Sequence, residues 1–348
     1  MNKKLTRAAA LWWLGAGLVI ASALGLLIGA ADVTLAQAAA VLGSKLGLTA
    51  SPGVQLDIIV WTIRLPRVLM GVCVGAGLAL CGAALQGMFR NPLADPGLIG
   101  VSSGAAAGAV TAMVAQWLLE PVLGWVPNAV LLPAAAFGGG LLATMLVYRI
   151  ATSGGRTSVA TMLLAGIAVN AAAGSLIGLM TYAADEAELR SLTLWTLGSL
   201  GSANWVELGV CASTLGIAGW LLLGRVDQLD ALLLGDSEAR DLGIDVGALE
   251  RHVVVLSAVV VGAAVAFTGL IGFVGLVAPH IVRLWRGPSH RIVLPGSMLL
   301  GAVLLVCADT ASRTIVAPAE LPIGIVTSLV GAPFFIWLLV RRRGEHYL

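Results

Sequence analysis

Charged residues are scarce in this chain. Asp, Glu, Lys and Arg make up 11% of its 348 residues, where a soluble domain has about 25%, and 59% of the residues are hydrophobic. Apolar runs of about 20 residues recur from Ala8 to Val340, and each can cross a hydrocarbon core about 30 Å thick. Lipid offers no hydrogen-bond partners to the backbone, so such runs must be helices. The composition excludes a soluble fold and predicts an all-α polytopic membrane protein.

Lysine, cysteine and histidine are also rare, and each shortage removes a class of site. The only lysines are Lys3, Lys4 and Lys45, and none lies in a Gly-x-x-x-x-Gly-Lys-[Ser/Thr] phosphate-binding loop. The four cysteines lie inside apolar runs and the four histidines lack ligand spacing, so we expect no disulfide, no metal site and no cofactor bound by this chain. No catalytic residue is predicted, because nucleophiles, acids and ligands do not cluster at one depth, and the chain is not expected to be an enzyme. No basic patch supports nucleic-acid binding.

Acidic residues are absent from the middle of every predicted span. All 18 lie at or near span ends, the closest cases being Glu207 and Asp309. A carboxylate or arginine at mid-membrane would cost at least about 2.5–3.5 kcal/mol and would mark an ion or proton relay. An ion-coupled secondary transporter needs such embedded carboxylates or broken helices with ion ligands. Because the charge map lacks the carboxylates, this class ranks last among the transport mechanisms.

Ten spans are predicted within a single transmembrane domain that covers residues 1–348. The spans are 8–31, 66–88, 97–119, 128–150, 158–182, 204–224, 252–268, 271–285, 292–311 and 322–340. With the N-terminus inside, fifteen Lys or Arg residues lie on the inner side and five on the outer side, which are Lys45, Arg64, Arg67, Arg190 and Arg313. This positive-inside bias predicts that both termini are cytoplasmic.

The inner segment 89–108 contains two turn signals. Asn91-Pro92 and Asp95-Pro96 each move the residue before proline out of the helical region, so the backbone must turn twice. Asp95 is a suitable N-cap, and Pro96 then occupies the first helical position.

The inner segment 227–251 is the longest polar stretch on that side of the membrane. It predicts two short helices, marked by Gly235 at the end of the first and by Asp236, Glu238 and Gly243 as cap, first-turn residue and end of the second. The leucines at 232–234 are predicted to be exposed beside the second helix. An exposed apolar run next to a short helix outside the membrane indicates a protein partner.

Seven motifs occur in order from about residue 60 to residue 340. They are RLPR, GMFRNPLADPGLIGVSSGAAAG, TMLLAG, LGDSEARDLGI, GFVGLVAPHIVRL, LPGSMLLGA and AELPIGIVTSLVGAPFFIWLL. Together they resemble the membrane permease subunit of bacterial ABC importers for iron-siderophores, haem and cobalamin, the FecCD-type or type II importers. The resemblance implies a cobalamin-importer-permease-like fold of about ten transmembrane helices in the bacterial inner membrane. It also implies a homodimer, two cytoplasmic ATPase subunits that bind ATP and Mg²⁺, a periplasmic substrate-binding protein and surrounding lipid as partners.

The resemblance also assigns expected roles to residues of this chain. Arg64, Arg67 and Arg313 are expected to dock acidic residues of the binding protein, since opposed charges steer encounter and fix register. The alternative for these arginines is that they anchor a span end at the lipid headgroups. Coupling helices at about 227–250 are expected to contact the ATPase through Asp236, Glu238, Ala239, Arg240 and Gly243. The cytoplasmic gate is expected at Asn91, Leu93, Val159 and Leu163.

The cargo is the least determined part of the resemblance. The outer run TYAADEAELRSLTLW resembles haem permeases more than cobalamin permeases, so haem is the first choice and a ferric siderophore the second. A cobalamin importer of the same family is the alternative. Met180 and Tyr182 lie near this entrance and are interpreted as packing residues and not as iron ligands.

Overall fold

The computed structural model describes residues 3–29, 31–115, 125–153 and 156–345. Within these ranges the chain forms fourteen helices and one two-stranded ribbon. The helices, in chain order, are α1 (Lys3–Leu27), α2 (Leu35–Lys45), α3 (Val54–Met88), α4 (Val101–Val114), α5 (Asn128–Ala151), α6 (Val159–Ala183), α7 (Glu186–Thr196), α8 (Trp205–Leu223), α9 (Val226–Leu232), α10 (Asp236–Asp241), α11 (Val246–Thr268), α12 (Val274–Arg286), α13 (His290–Thr314) and α14 (Ile323–Glu345). Strands β1 (Thr152–Ser153) and β2 (Arg156–Thr157) pair antiparallel between α5 and α6.

Seven of the described helices are long and apolar enough to cross a membrane. They are α1 from Ala8 onward, α3, α5, α6, α8, α11 and α13. Helix α4 and the apolar part of α14, Ile323–Leu338, are shorter, and α12, with 13 residues, occupies the position of the predicted eighth span. These ten helices confirm the predicted all-α polytopic fold of about ten transmembrane helices.

Helix α3 lies at the centre of the bundle. Most of its side chains from Pro66 onward are buried, and it packs on α8, α11, α12 and α13. A Cβ on Gly75 would overlap the backbone of Gly301 in α13, and one on Gly82 would overlap the carbonyl oxygen of Gly275 in α12. Such small residues let helices approach closely in a membrane, where lipid supplies no hydrophobic drive for their association.

Helices α4 and α12 begin later than predicted. Asp95 accepts a hydrogen bond from the Gly97 N–H and Pro96 is the first helical residue, as predicted, but the helix they start is a short 3₁₀ turn that ends at Ile99. Gly100, at φ 83°, separates this turn from α4, so the span begins at residue 101 and not at 97. Helix α12 begins at residue 274 and not at 271, after Phe273 at φ 66°. The predicted end of the third span, residue 119, lies outside the described residues.

Two helices lie where the sequence pattern predicts none. Helix α2 lies in the predicted loop between the first two spans, and α7 lies in the predicted outer segment 178–205. Each begins with a capping box, Thr34 with Gln37 and Asp185 with Glu188. Helix α3 also starts before the predicted residue 66. It begins at Val54, so a further helical stretch precedes the predicted span.

This further stretch of α3 contains a π-helical segment, Ile58–Arg64. The carbonyl oxygen of Trp61 within it accepts a hydrogen bond from Trp205 Nε1 at 3.1 Å, and the centroids of the two indole rings lie 4.9 Å apart. The contact ties the π-helical segment to the start of α8.

Candidate functional site

The predicted site residues lie at opposite ends of the helix bundle. The arginine end is where α1 and α13 stop and where the π-helical segment lies, and it holds Arg64, Arg67 and Arg313. The short-helix end is where α9 and α10 connect α8 to α11.

Arg64 caps the end of α1. Its side chain is 4% exposed, and Nη1 donates to the carbonyl oxygens of Leu26 and Leu27 at 2.8 Å each, while Nη2 donates to that of Ala31. The last carbonyls of a helix have no partner within it, and the negative end of the helix dipole favours a cation. Gly29 leaves room for this arrangement, because a Cβ there would lie 2.7 Å from Arg64 Nη2.

Arg67 joins two carboxylates. Its Nη1 and Nη2 donate to Glu320 Oε1 and Oε2, both at 2.9 Å, and its Nε donates to Asp309 Oδ1 at 2.9 Å. The side chains of Arg67 and Asp309 are only 7% and 3% exposed, but that of Glu320 is 46% exposed. A two-pronged arginine–carboxylate pair of this kind is stronger and more directional than a single charged hydrogen bond.

Arg313 completes the same network from α13. Its Nε lies 3.2 Å from Asp309 Oδ2, one turn earlier on the helix, and its Nη2 donates to the carbonyl oxygen of Gly25 at 2.9 Å. All three arginines are therefore buried in protein, which contradicts the alternative that they anchor a span end at the headgroups. Their docking role stays a prediction. The carboxylate partners Asp309 and Glu320 are not predicted from the sequence, although the spacing of four residues between Asp309 and Arg313 is a readable signal.

At the short-helix end, α9 is fastened to the start of α13 by Asp230. Its carboxylate accepts hydrogen bonds from Ser289 Oγ at 3.0 Å and from the backbone N–H of His290, and it lies 3.0 Å from His290 Nδ1. One turn earlier on α9, Asp227 pairs with Arg291 at 2.9 Å. These contacts join a short helix outside the membrane to a membrane-spanning helix.

Helix α10 begins one residue away from the predicted position. Its N-cap is Gly235, at φ 130°, and Asp236 is the first helical residue, whose carboxylate pairs with Arg90 at 2.9 Å and does not cap the helix. Gly243 follows the helix at φ 82°, as expected of a terminating glycine.

Among the predicted coupling residues of α10, the structure separates surface from core. Glu238, Arg240 and Gly243 are exposed, whereas Ala239 is fully buried and packs α10 against the bundle. The predicted exposed run 232–234 is only partly right: Leu232 is buried at 1% exposure, because the last turn of α9 faces the core, and Leu234 alone is strongly exposed at 67%. A second exposed apolar residue, Leu242 at 63%, lies on the far side of α10.

The predicted gate residues lie in two segments, the loop between α3 and α4 and the start of α6. Asn91 and Leu93 are half-buried in the loop between α3 and α4, where Asn91 Oδ1 accepts a hydrogen bond from the Leu93 N–H at 3.0 Å. Val159 and Leu163 are half-buried at the start of α6. Their gating role stays a prediction.

Asn170 and Gly166 of α6 contact the loop between α3 and α4, residues 89–100, which is called the gate loop below. Asn170 Nδ2 donates to the carbonyl oxygen of Gly97 at 3.3 Å, and its Oδ1 accepts a hydrogen bond from Ser103 of α4. Gly166 packs so closely on Leu98 that a Cβ would overlap the Leu98 carbonyl oxygen. The loop and α6 therefore form one packed unit.

Asp95 is the carboxylate of this loop. Burial raises the pKa of its carboxyl group, and the hydrogen bond from the Gly97 N–H opposes this rise only in part. The site is outside the membrane-spanning helices.

A groove of about 630 Å³ opens beside α14 at the arginine end. Its lining is mostly apolar and includes Leu197, Leu270, Ile325, Leu329 and Ile336. Leu329 and Ile336 are 69% and 61% exposed. No group of three or more His, Cys, Asp or Glu side chains that could hold a metal ion occurs among the described residues.

Comparison with known proteins adds independent findings. Residues 17–341 match the FecCD transport family. The chain is 47% identical to a hemin transport system permease protein of Yersinia pestis over 82% of this chain and 84% of that protein, and 44% identical to a cobalamin import system permease protein of Halobacterium salinarum over 81% and 73%. The fold is similar to that of a metal-chelate type ABC transporter solved in an inward-facing conformation, with a TM-score of 0.83 and 32% identity over 95% of this chain and 98% of that one.

Proposed function

We propose the function that follows from one premise: this chain belongs to the FecCD transport family. It is a polytopic permease subunit of an ABC importer for haem, cobalamin or a siderophore. Within that class we infer that its cargo is haem, with a ferric siderophore next and cobalamin as the alternative. The observation that supports haem is the similarity to the hemin permease over most of both chains.

We place the chain in the bacterial inner membrane with both termini in the cytoplasm. In that orientation the arginine end faces the periplasm and receives the binding protein, and the short-helix end faces two ATPase subunits that supply ATP and Mg²⁺ chemistry. The charge bias of the sequence supports this orientation. The chain itself has a transport role and no ATPase site of its own.

Coupling in this proposal runs from α10 to the gate loop. The ATPase contacts the exposed residues Glu238, Arg240 and Gly243, and a shift of α10 pulls on Arg90 through Asp236. Arg90 directly precedes Asn91, and the same loop is packed on α6 at Gly97 and Leu98. A movement at the ATPase contact therefore reaches both gate segments through contiguous contacts.

A second copy of the chain is proposed to complete the translocation path. Helix α6 is exposed along most of its length from Leu164 to Tyr182, and α14 borders the apolar groove. Two glycines of α6, Gly174 and Gly178, have open space in front of them, which leaves room for a close helix contact. These faces support a homodimer built around α6 and α14.

The test is ATP-driven uptake by the reconstituted complex. Liposomes containing the permease and its ATPase, supplied with the binding protein, are compared for uptake of haem, a ferric siderophore and cobalamin. We expect ATP-dependent haem uptake, and no uptake when the ATPase lacks its phosphate-loop lysine. Uptake of cobalamin alone would contradict the cargo, and uptake driven by a proton or sodium gradient without the ATPase would contradict the mechanism.

A further inference from the structure

The three arginines of the arginine end differ in whether their present partners can leave. Arg64 is held by backbone carbonyls at the end of α1, and Arg313 is held by the carbonyl of Gly25 and by Asp309. Asp309 is 2% exposed and paired with two arginines, so it cannot turn into water without leaving buried charges unpaired. None of these partners is free to make way for a carboxylate from outside.

Glu320 is the exception. It lies in the exposed connection between α13 and α14, and its side chain is 46% exposed although both carboxylate oxygens bind Arg67 at 2.9 Å. Because Glu320 reaches water, its release costs less than that of the buried Asp309, and Arg67 keeps its hydrogen bond to Asp309 when Glu320 leaves. The two-pronged geometry is also the one in which arginine binds any carboxylate, whichever chain carries it.

The approach to this pair is open on one side. The exposed residue beside it is Gly201, where a Cβ would lie 3.6 Å from Glu320 Oε2 and 3.7 Å from Arg67 Nη1. Because residue 201 is a glycine, it has no side chain that could cover the ion pair between Arg67 and Glu320. The connection also presents apolar surface, since Ile315 and Val316 are 64% and 41% exposed.

The charge balance favours replacement of Glu320 by an incoming carboxylate over the addition of a third carboxylate. Arg67 and Arg313 carry two positive charges, and Asp309 and Glu320 carry two negative charges, so the network is neutral as it stands. An additional carboxylate would leave a net negative charge among partly buried groups. A carboxylate that replaces Glu320 keeps the balance.

We propose that Glu320 occupies the place that a carboxylate of the periplasmic binding protein takes on docking, so that docking exchanges one carboxylate for another on Arg67. This rests on the proposed function, because it requires a docking partner at the arginine end. It assigns the exchangeable contact to Arg67 and gives Arg64 and Arg313 the task of holding the ends of α1 and α13. Docking then releases Glu320 and the connection that leads into α14.

The test measures the affinity of the binding protein for the permease–ATPase complex in lipid nanodiscs. Glu320→Gln removes the competing charge, so we expect the Kd to fall about three- to tenfold, with a smaller gain at high salt. Glu186→Gln is the matched control, because Glu186 is an exposed glutamate of the same end in the first turn of α7. It removes the same charge away from Arg67 and should leave the Kd near the wild-type value.

A second variant distinguishes the loss of the specific Arg67–Glu320 contact from a general change in electrostatic potential at this end of the protein. Arg67→Lys cannot make the two-pronged pair, so Glu320→Gln should bring no further gain in that background. If the Glu320→Gln complex does not assemble, Glu320→Asp is used in its place. The complex with this shorter side chain must also bind the binding protein with a lower Kd than the wild-type complex.

The outcomes distinguish the two levels of the proposal. Measurable docking with an unchanged or weaker affinity for Glu320→Gln would overturn the exchange, as would a gain that persists with Arg67→Lys. Complete absence of docking to the wild-type complex would instead contradict the proposed function.

Discussion

At the scale of single residues, Asp95 shows how a cap and a charge can oppose each other. Its carboxylate accepts the Gly97 N–H that starts the 3₁₀ turn, while burial raises its pKa. Because the folded-state pKa lies above the unfolded-state value of about 4, protonation of Asp95 stabilises the fold. That contribution is complete below the unfolded-state pKa and is lost as the pH rises through the folded-state pKa.

Asp95→Asn should therefore keep the cap without the charge. At pH 7 we expect its thermal unfolding temperature in detergent to equal or exceed that of wild type, and the difference to shrink as the pH falls toward the usual Asp pKa of about 4. Asp95→Ala, which loses the cap as well as the charge, should be less stable than Asp95→Asn by about 1 kcal/mol at both pH values. An Asn variant as unstable as the Ala variant at pH 7 would mean that the negative charge itself is required.

At the scale of elements, an exposed ion pair joins α10 to the gate loop. Arg90 and Asp236 are 44% and 42% exposed in their side chains, and such a pair contributes at most about 1 kcal/mol. The backbone of Arg90 adds a second feature, since its φ of 48° is in the left-handed region that glycine prefers. Loss of the pair should thus loosen the joint and leave both elements folded.

Asp236→Asn should reduce the ratio of transported cargo to hydrolysed ATP about two- to fivefold, the factor that corresponds to about 1 kcal/mol at most. Arg90→Gly should give the same reduction, because it removes the same ion pair and favours the same backbone conformation. The matched control is Ser237→Ala, on the exposed surface of α10 one residue away. A wild-type ratio in Asp236→Asn, measured in reconstituted liposomes, would remove this ion pair from the coupling path.

Elements also show what the sequence can and cannot predict. The spans are predictable because hydrocarbon permits only internally hydrogen-bonded backbone, so hydropathy and length suffice. The α2 and α7 helices were predictable in principle from their capping boxes, Thr34 with Gln37 and Asp185 with Glu188, but their mixed composition hides them from a search for long apolar runs. The direction of the arginine side chains was not predictable, because Arg67 meets Asp309 and Glu320 more than 240 positions along the chain.

At the scale of the whole molecule, the two ends carry different chemistry. At the arginine end, Arg67, Arg313, Asp309 and Glu320 form a neutral network of ion pairs that is buried except at Glu320, whereas the short-helix end presents exposed charges of both signs on α10. In the proposed orientation the first end meets the periplasm and the second the cytoplasm.

Thiol labelling checks that orientation. In a Cys307→Ser background, which removes an exposed native thiol, Ala319→Cys should react with a membrane-impermeant maleimide on intact spheroplasts. Ser237→Cys should react only after the membrane is permeabilised. Both positions are exposed in the structure, so a reversed pattern would place the short-helix end outside.

The π-helical segment of α3 changes the direction in which the side chains on either side of it point. Each inserted residue rotates everything beyond it by about 100° around the helix axis relative to an uninterrupted α-helix. The tryptophan-clamped part before Leu65 is thereby out of phase with the glycine-rich part that packs in the bundle centre. The side chains of the outer part can therefore face α1 and α8, as Arg64 and Trp61 do, while those of the inner part keep their crossings in the bundle centre.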